Sequence, residues 1–136
     1  MQPYKKFEKY FIETKDILRQ KEDEYFVLVY WTNCPHCLAI VSSISKYIES
    51  NPKIKLYLLD FTGEKECFLF KDTIQNDNES MLDFIDRYSI DSIGAKNVKD
   101  INYYYVPMLL HIKSKKVYNC VVLENNIENY LKEYEK

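Results

Sequence analysis

Glycine is scarce in this chain: there are two in 136 residues, alongside four cysteines, four prolines and a single tryptophan. Small secreted scaffolds stapled by disulfides are rich in cysteine and glycine, so the chain is not of that kind. An excess of one charge is lacking as well. Nineteen Lys and Arg stand against twenty-one Asp and Glu, a formal net charge of -2, with the two signs interspersed. Phosphate binding needs a basic face, so nucleic acid is not an expected partner. The densest basic stretch, Lys113, Lys115 and Lys116, fits a solvated turn. The longest apolar run, residues 25–31, is far too short to cross a bilayer, and no membrane span is expected. Residues 1–20 are charged throughout and lack the apolar centre of a signal peptide. The chain as written is therefore expected in the cytoplasm, as a monomer. An extracytoplasmic address follows only if a signal has been removed.

What is present is ample core material. Apolar residues make up 46% of the chain, enough for one compact domain over residues 1–136. Residues 4–20 place Phe7, Tyr10, Phe11, Thr14, Ile17 and Leu18 at the spacing of one helix face. Residues 25–31 are continuously apolar, β-branched and aromatic, as in a strand buried on both faces. Pro35 opens a helix that runs to about residue 50, with Leu38, Val41, Ile44, Ser45 and Ile48 facing inward. Asn51-Pro52 ends it, and residues 54–61 form a second buried strand, parallel to the first.

Residues 62–102 read as a largely helical insertion. A helix is expected over residues 78–88, with Asn78 as its cap and Met81, Leu82, Ile85 and Tyr88 in register. A strand over 103–112 contains Pro107, a turn covers 113–116, and 117–123 returns antiparallel. Residues 125–134 close the chain as a helix. There are no repeats, linkers or low-complexity tracts.

The chemistry concentrates in Cys34-Pro35-His36-Cys37. Two cysteines three apart at a helix start face the same side of its first turn. Their sulfurs can close a small ring or open to two thiols with little backbone movement. Cys34 falls at the N-cap, where unpaired N–H groups and the positive end of the helix dipole stabilise a thiolate. Cys37 lies deeper and keeps its proton until needed. That asymmetry assigns attack to Cys34 and resolution of the mixed disulfide to Cys37. Pro35 and His36, between them, tune the equilibrium. A positive charge or donor on His36 near Cys34 favours the reduced form and makes the disulfide more oxidising. Zinc normally takes four ligands. A second Cys-x-x-Cys is absent, and Cys67, His111 and Cys120 are scattered singly, so no metal is expected. No cofactor is needed beyond the Cys34–Cys37 disulfide itself. Cys120 reads as a buried free thiol. A Cys67–Cys120 disulfide stays open, because sequence does not set their distance.

These features together resemble the thioredoxin superfamily. The resemblance rests on the strand 25–31, the Cys34-Pro35-His36-Cys37 helix start, the second strand, and Val106-Pro107 before a hairpin and final helix. It implies a four-stranded mixed sheet flanked by helices, an α/β fold with a helical insertion at about 62–102. It also implies a cis Pro107 beside the cysteines. Val106 and Pro107 would then bind an extended substrate peptide, with Trp31 and Tyr105 beside them. The Pro-His centre is like that of DsbA-like oxidants. The sequence departs from thioredoxin in several places. Trp31 stands three residues before Cys34, Leu28 occupies the place of a buried acid, and the usual leading strand is missing.

The expected function is thiol–disulfide exchange on protein substrates, with a redox partner protein to recycle the chain. A different class of reading is a thioredoxin-fold binding module that uses the Val106-Pro107 groove with little redox turnover. The tyrosine run 103–105 and Leu28 favour it; those tyrosines otherwise read as strand core. Glutathione-linked exchange lacks the charged pair it would need.

Overall fold

The computed structural model describes residues 2–62, 77–103 and 106–135. The insertion's first part, Cys67, Tyr104 and Tyr105 lie outside them. Four strands form one sheet: β1 (Glu24–Tyr30), β2 (Lys55–Asp60), β3 (Met108–Lys113) and β4 (Lys116–Val122). Their order across it is β2-β1-β3-β4. β1 and β2 are parallel, while β3 runs antiparallel to both β1 and β4. Among the described residues the α-helices are α1 (Pro35–Ala39), α2 (Val41–Glu49), α3 (Met81–Ser92) and α4 (Glu124–Lys132).

Alternate residues of each strand feed two separate cores, as the period of a strand requires. Tyr25, Val27, Val29, Leu59, Leu110 and Ile112 face one, which Ile17, Ala95, Ile101 and Tyr103 complete. Phe26, Leu28, Tyr30, Leu58 and Leu109 face the other. Cys37, Ile44, Tyr47, Ile127 and Leu131 from α1, α2 and α4 cover that second face. Both sheet edges are touched by loop backbone. Ile12 N–H donates to Leu58 O at one edge, and Gly94 N–H donates to Val117 O at the other. Gly94 stands at φ 92°, a conformation that a side chain disfavours. The β3–β4 turn places Ser114 and Lys115 at φ 54° and 62°, the left-handed pair of a tight hairpin.

Three elements differ from the helical spacing in the sequence. Residues 4–20 form two 3-10 helices, Lys5–Tyr10 and Thr14–Asp16, instead of one α-helix. Between them Phe11 turns extended and bridges to Leu58, so the sheet edge takes up backbone groups the helix would have used. The helix after Pro35 breaks at Ile40, with φ -104° and ψ 4°. The break shifts the buried face, and Leu38 is left 49% exposed rather than inward. α3 begins two residues later than Asn78 would set it. Ser80 is the cap, its hydroxyl accepting from Asp83 N–H at 3.1 Å, and the helix continues to Ser92.

His111 is a buried polar residue on β3, facing the second core. Its Nε2 lies 2.6 Å from Glu24 Oε2 on β1, and its Nδ1 lies 2.7 Å from the Tyr130 hydroxyl on α4. A neutral ring satisfies both, with Nε2–H donating to the carboxylate and Nδ1 accepting from the hydroxyl. Tyr118 on β4 and Tyr134, just past the end of α4, close over it, and Lys113 stands two residues along its own strand. Burial holds the imidazole below its ordinary value, against the pull of Glu24, and Lys113 adds to the depression. The unfolded chain therefore takes up this proton first as pH falls. Stability is full above about pH 6.5 and is lost as pH drops below it, by about 1.4 kcal/mol per unit of depression. Urea midpoints from pH 7.5 to 5 are expected to fall, and His111→Gln is expected to flatten that fall. A profile as steep as wild type would refute the assignment.

Candidate active site

Strand β1 ends at Tyr30, and the next four residues lead from the sheet to α1. Cys34 is the N-cap of α1, with extended φ -95° and ψ 121°, and Pro35 fills the first helical position. The Cys34 sulfur accepts from Cys37 N–H at 3.4 Å. It is thus held over the unpaired N–H groups of a helix start. The two cysteines come within 3.2 Å of each other, and both are free thiols.

The two sulfurs have different surroundings. Cys34 is half-buried, whereas Cys37 is 2% exposed and packs in the second core. Its sulfur accepts from Trp31 N–H at 3.4 Å. Burial pushes the Cys37 thiol up to about 12; the Trp31 N–H works against this, and Cys34 and Glu124 add to it. Two tyrosine rings in contact, Tyr4 and Tyr30, share that core; burial raises both hydroxyls well above the ordinary tyrosine value, and the nearby Cys37 sulfur adds to the rise. The Tyr30 hydroxyl donates to Gln2 at 2.8 Å. The buried Tyr4 hydroxyl has no partner among the described residues. Leu28 is completely buried in the same core.

His36 stands at the surface, and its Nδ1 lies 2.5 Å from Glu124 Oε1 at the start of α4. Glu124 is thus a site residue that the motif alone does not reveal. Pro107 follows a cis peptide bond from Val106 and leads directly into β3. Met108 pairs with Val29, so Pro107 falls at the end of β1 from which the Cys34 loop departs. Val106 and Cys34 both pack against the second core. Trp31 is 39% exposed; its backbone is tied to Cys37 while its ring faces solvent. Tyr105 lies outside the described residues. Tyr103 is buried, stacked on Phe61 at 5.1 Å. Cys120 is buried on β4. Among the described residues, no group of three or more His, Cys, Asp or Glu side chains is placed to hold a metal, and no helix is long and apolar enough to cross a membrane.

The parallel β1–β2 pair, the antiparallel β3–β4 hairpin and the flanking helices define a thioredoxin-like fold. Among solved structures, mitochondrial thioredoxin 3 from Saccharomyces cerevisiae in its oxidised form is similar to this chain. The two agree with a TM-score of 0.50 at 12% identity, over 88% of this chain and 85% of that one. No family model matches the chain, and no curated protein matches it in sequence.

Proposed function

We propose that this chain is a thiol–disulfide oxidoreductase acting on protein substrates through Cys34 and Cys37. The observation that carries the reading is the asymmetry of the pair. Cys34 is accessible and sits on a helix N-terminus, while Cys37 is buried and protonated directly behind it.

In the reductive direction the Cys34 thiolate attacks one sulfur of a substrate disulfide. The substrate S–S bond breaks, a mixed disulfide forms, and one substrate thiolate leaves and takes up a proton. Cys37 then loses its proton and attacks the Cys34 sulfur. The mixed disulfide breaks, the second substrate thiolate leaves and accepts a proton, and Cys34–Cys37 closes. Two electrons have passed to the substrate, and a dithiol partner protein returns them. Val106 and Pro107, at the end of β1 from which the Cys34 loop departs, together with Trp31 form the surface on which an extended substrate segment lies, with Tyr105 beside them in sequence. Pro35 fixes the first helical turn, and His36 stands at the rim.

The binding-module alternative draws on Leu28, an apolar residue in the core that surrounds Cys37. Equilibration with glutathione buffers separates the two. A reversible two-electron couple between about -270 and about -120 mV is expected. A chain with no reversible couple would be a binding module.

A further inference from the structure

Between two cysteines a histidine is a source of positive charge, and alone it would draw the couple toward the oxidising end. Here its ring is engaged. His36 Nδ1 is 2.5 Å from a carboxylate oxygen of Glu124, whose side chain is 31% exposed against 61% for His36. An acid in the first turn of α4 already suits that helix's dipole. The dipole asks only for a carboxylate near the end; it does not ask for contact with a neighbouring helix. The entry to α4 is also unusual. Leu123, its N-cap, stands at φ 77°, a left-handed conformation that a leucine side chain disfavours. That strained residue directly precedes Glu124 and sets the direction from which α4 starts.

We propose that Glu124 is a positioning residue for the Cys34/Cys37 couple: it holds the His36 ring and cancels the positive charge that ring would present to Cys34, keeping the couple reducing. This rests on the oxidoreductase reading above and gives it a direction. The sign follows from charge counting. Removing the carboxylate takes away the negative charge that faces the ring. With the ring's own charge no longer offset, the surroundings of Cys34 become more positive. A more positive site stabilises the thiolate, hence the reduced form, hence a more oxidising disulfide. The Glu124 charge is also felt at Cys37, where it helps to keep the thiol protonated.

The test is Glu124→Gln, which keeps the shape and an acceptor while removing the charge. Glu128→Gln is the control, since Glu128 lies on the same helix but hydrogen-bonds Ser43 of α2. At pH 6, Glu124→Gln is expected to shift the glutathione equilibrium toward the dithiol by about three- to tenfold. Tenfold corresponds to about 30 mV. Iodoacetamide should also alkylate Cys34 faster. Glu128→Gln is expected to change neither. An unchanged or more reducing couple, or an equal shift in the control, overturns the proposal. A wild-type chain without a reversible couple would sink the oxidoreductase reading, and the alkylation rates would then decide the role of Glu124 by themselves.

Discussion

Cys34→Ser is expected to abolish reduction of insulin-type protein disulfides, with a loss on the order of a thousandfold or more, the scale on which removing a nucleophile acts. Serine keeps the N-cap, because its oxygen also accepts from Cys37 N–H, so the fold should survive. What disappears is the only half-exposed sulfur of the pair. Cys37 cannot substitute for it, being 2% exposed and held protonated by burial with its thiol near 12. The companion variant, Cys37→Ser, should fail differently. The first step proceeds and the second does not, so a covalent adduct with the substrate accumulates on Cys34 and is released by dithiothreitol. Mass spectrometry without reductant reads it directly. Turnover retained by Cys34→Ser, or no adduct with Cys37→Ser, would reverse or remove the assigned roles.

Much of this was legible because it is local. The apolar run of β1, the proline after Cys34 and the turn before β4 each announce themselves within a few residues, where sterics and hydrogen bonding decide. The N-cap position of Cys34 follows from the same short-range rules. What stayed hidden depends on contacts between distant segments. Glu124 is 88 residues from His36, and at a helix start an acid looks like an ordinary partner for the dipole. Glu24 is 87 residues from His111, and an isolated histidine in a strand carries no sign of the carboxylate that meets it. Leu38 has the spacing of an inward residue, but the break at Ile40 changes which face is buried. At residues 4–20 the helical period competes with a sheet edge that needs covering, and the edge prevails where Ile12 bonds Leu58.

Phe26→Ala is expected to cost about 3–5 kcal/mol, a large part of the roughly 5–15 kcal/mol that holds a domain together. Phe26 is fully buried at the middle of an aromatic cluster. Its ring lies 5.9 Å from Tyr47 of α2, 4.8 Å from His111, 6.1 Å from Tyr130 and 5.3 Å from Tyr134. Truncation removes the apolar area and also the edge-to-face contacts, which such rings add beyond area alone. The loss should spread to the site, because the rings around Phe26 are the ones that seat α4, and α4 carries Glu124. A loosened α4 frees His36 and uncovers Cys37. The variant should therefore show a lowered urea midpoint together with alkylation of Cys37, which is protected in wild type. Phe26→Leu keeps most of the volume and should cost less than about 1.5 kcal/mol. If alanine costs under about 1 kcal/mol, the aromatic cluster does not anchor α4. If it costs the full amount while Cys37 stays protected below the unfolding transition, the cluster supports the fold without governing the site.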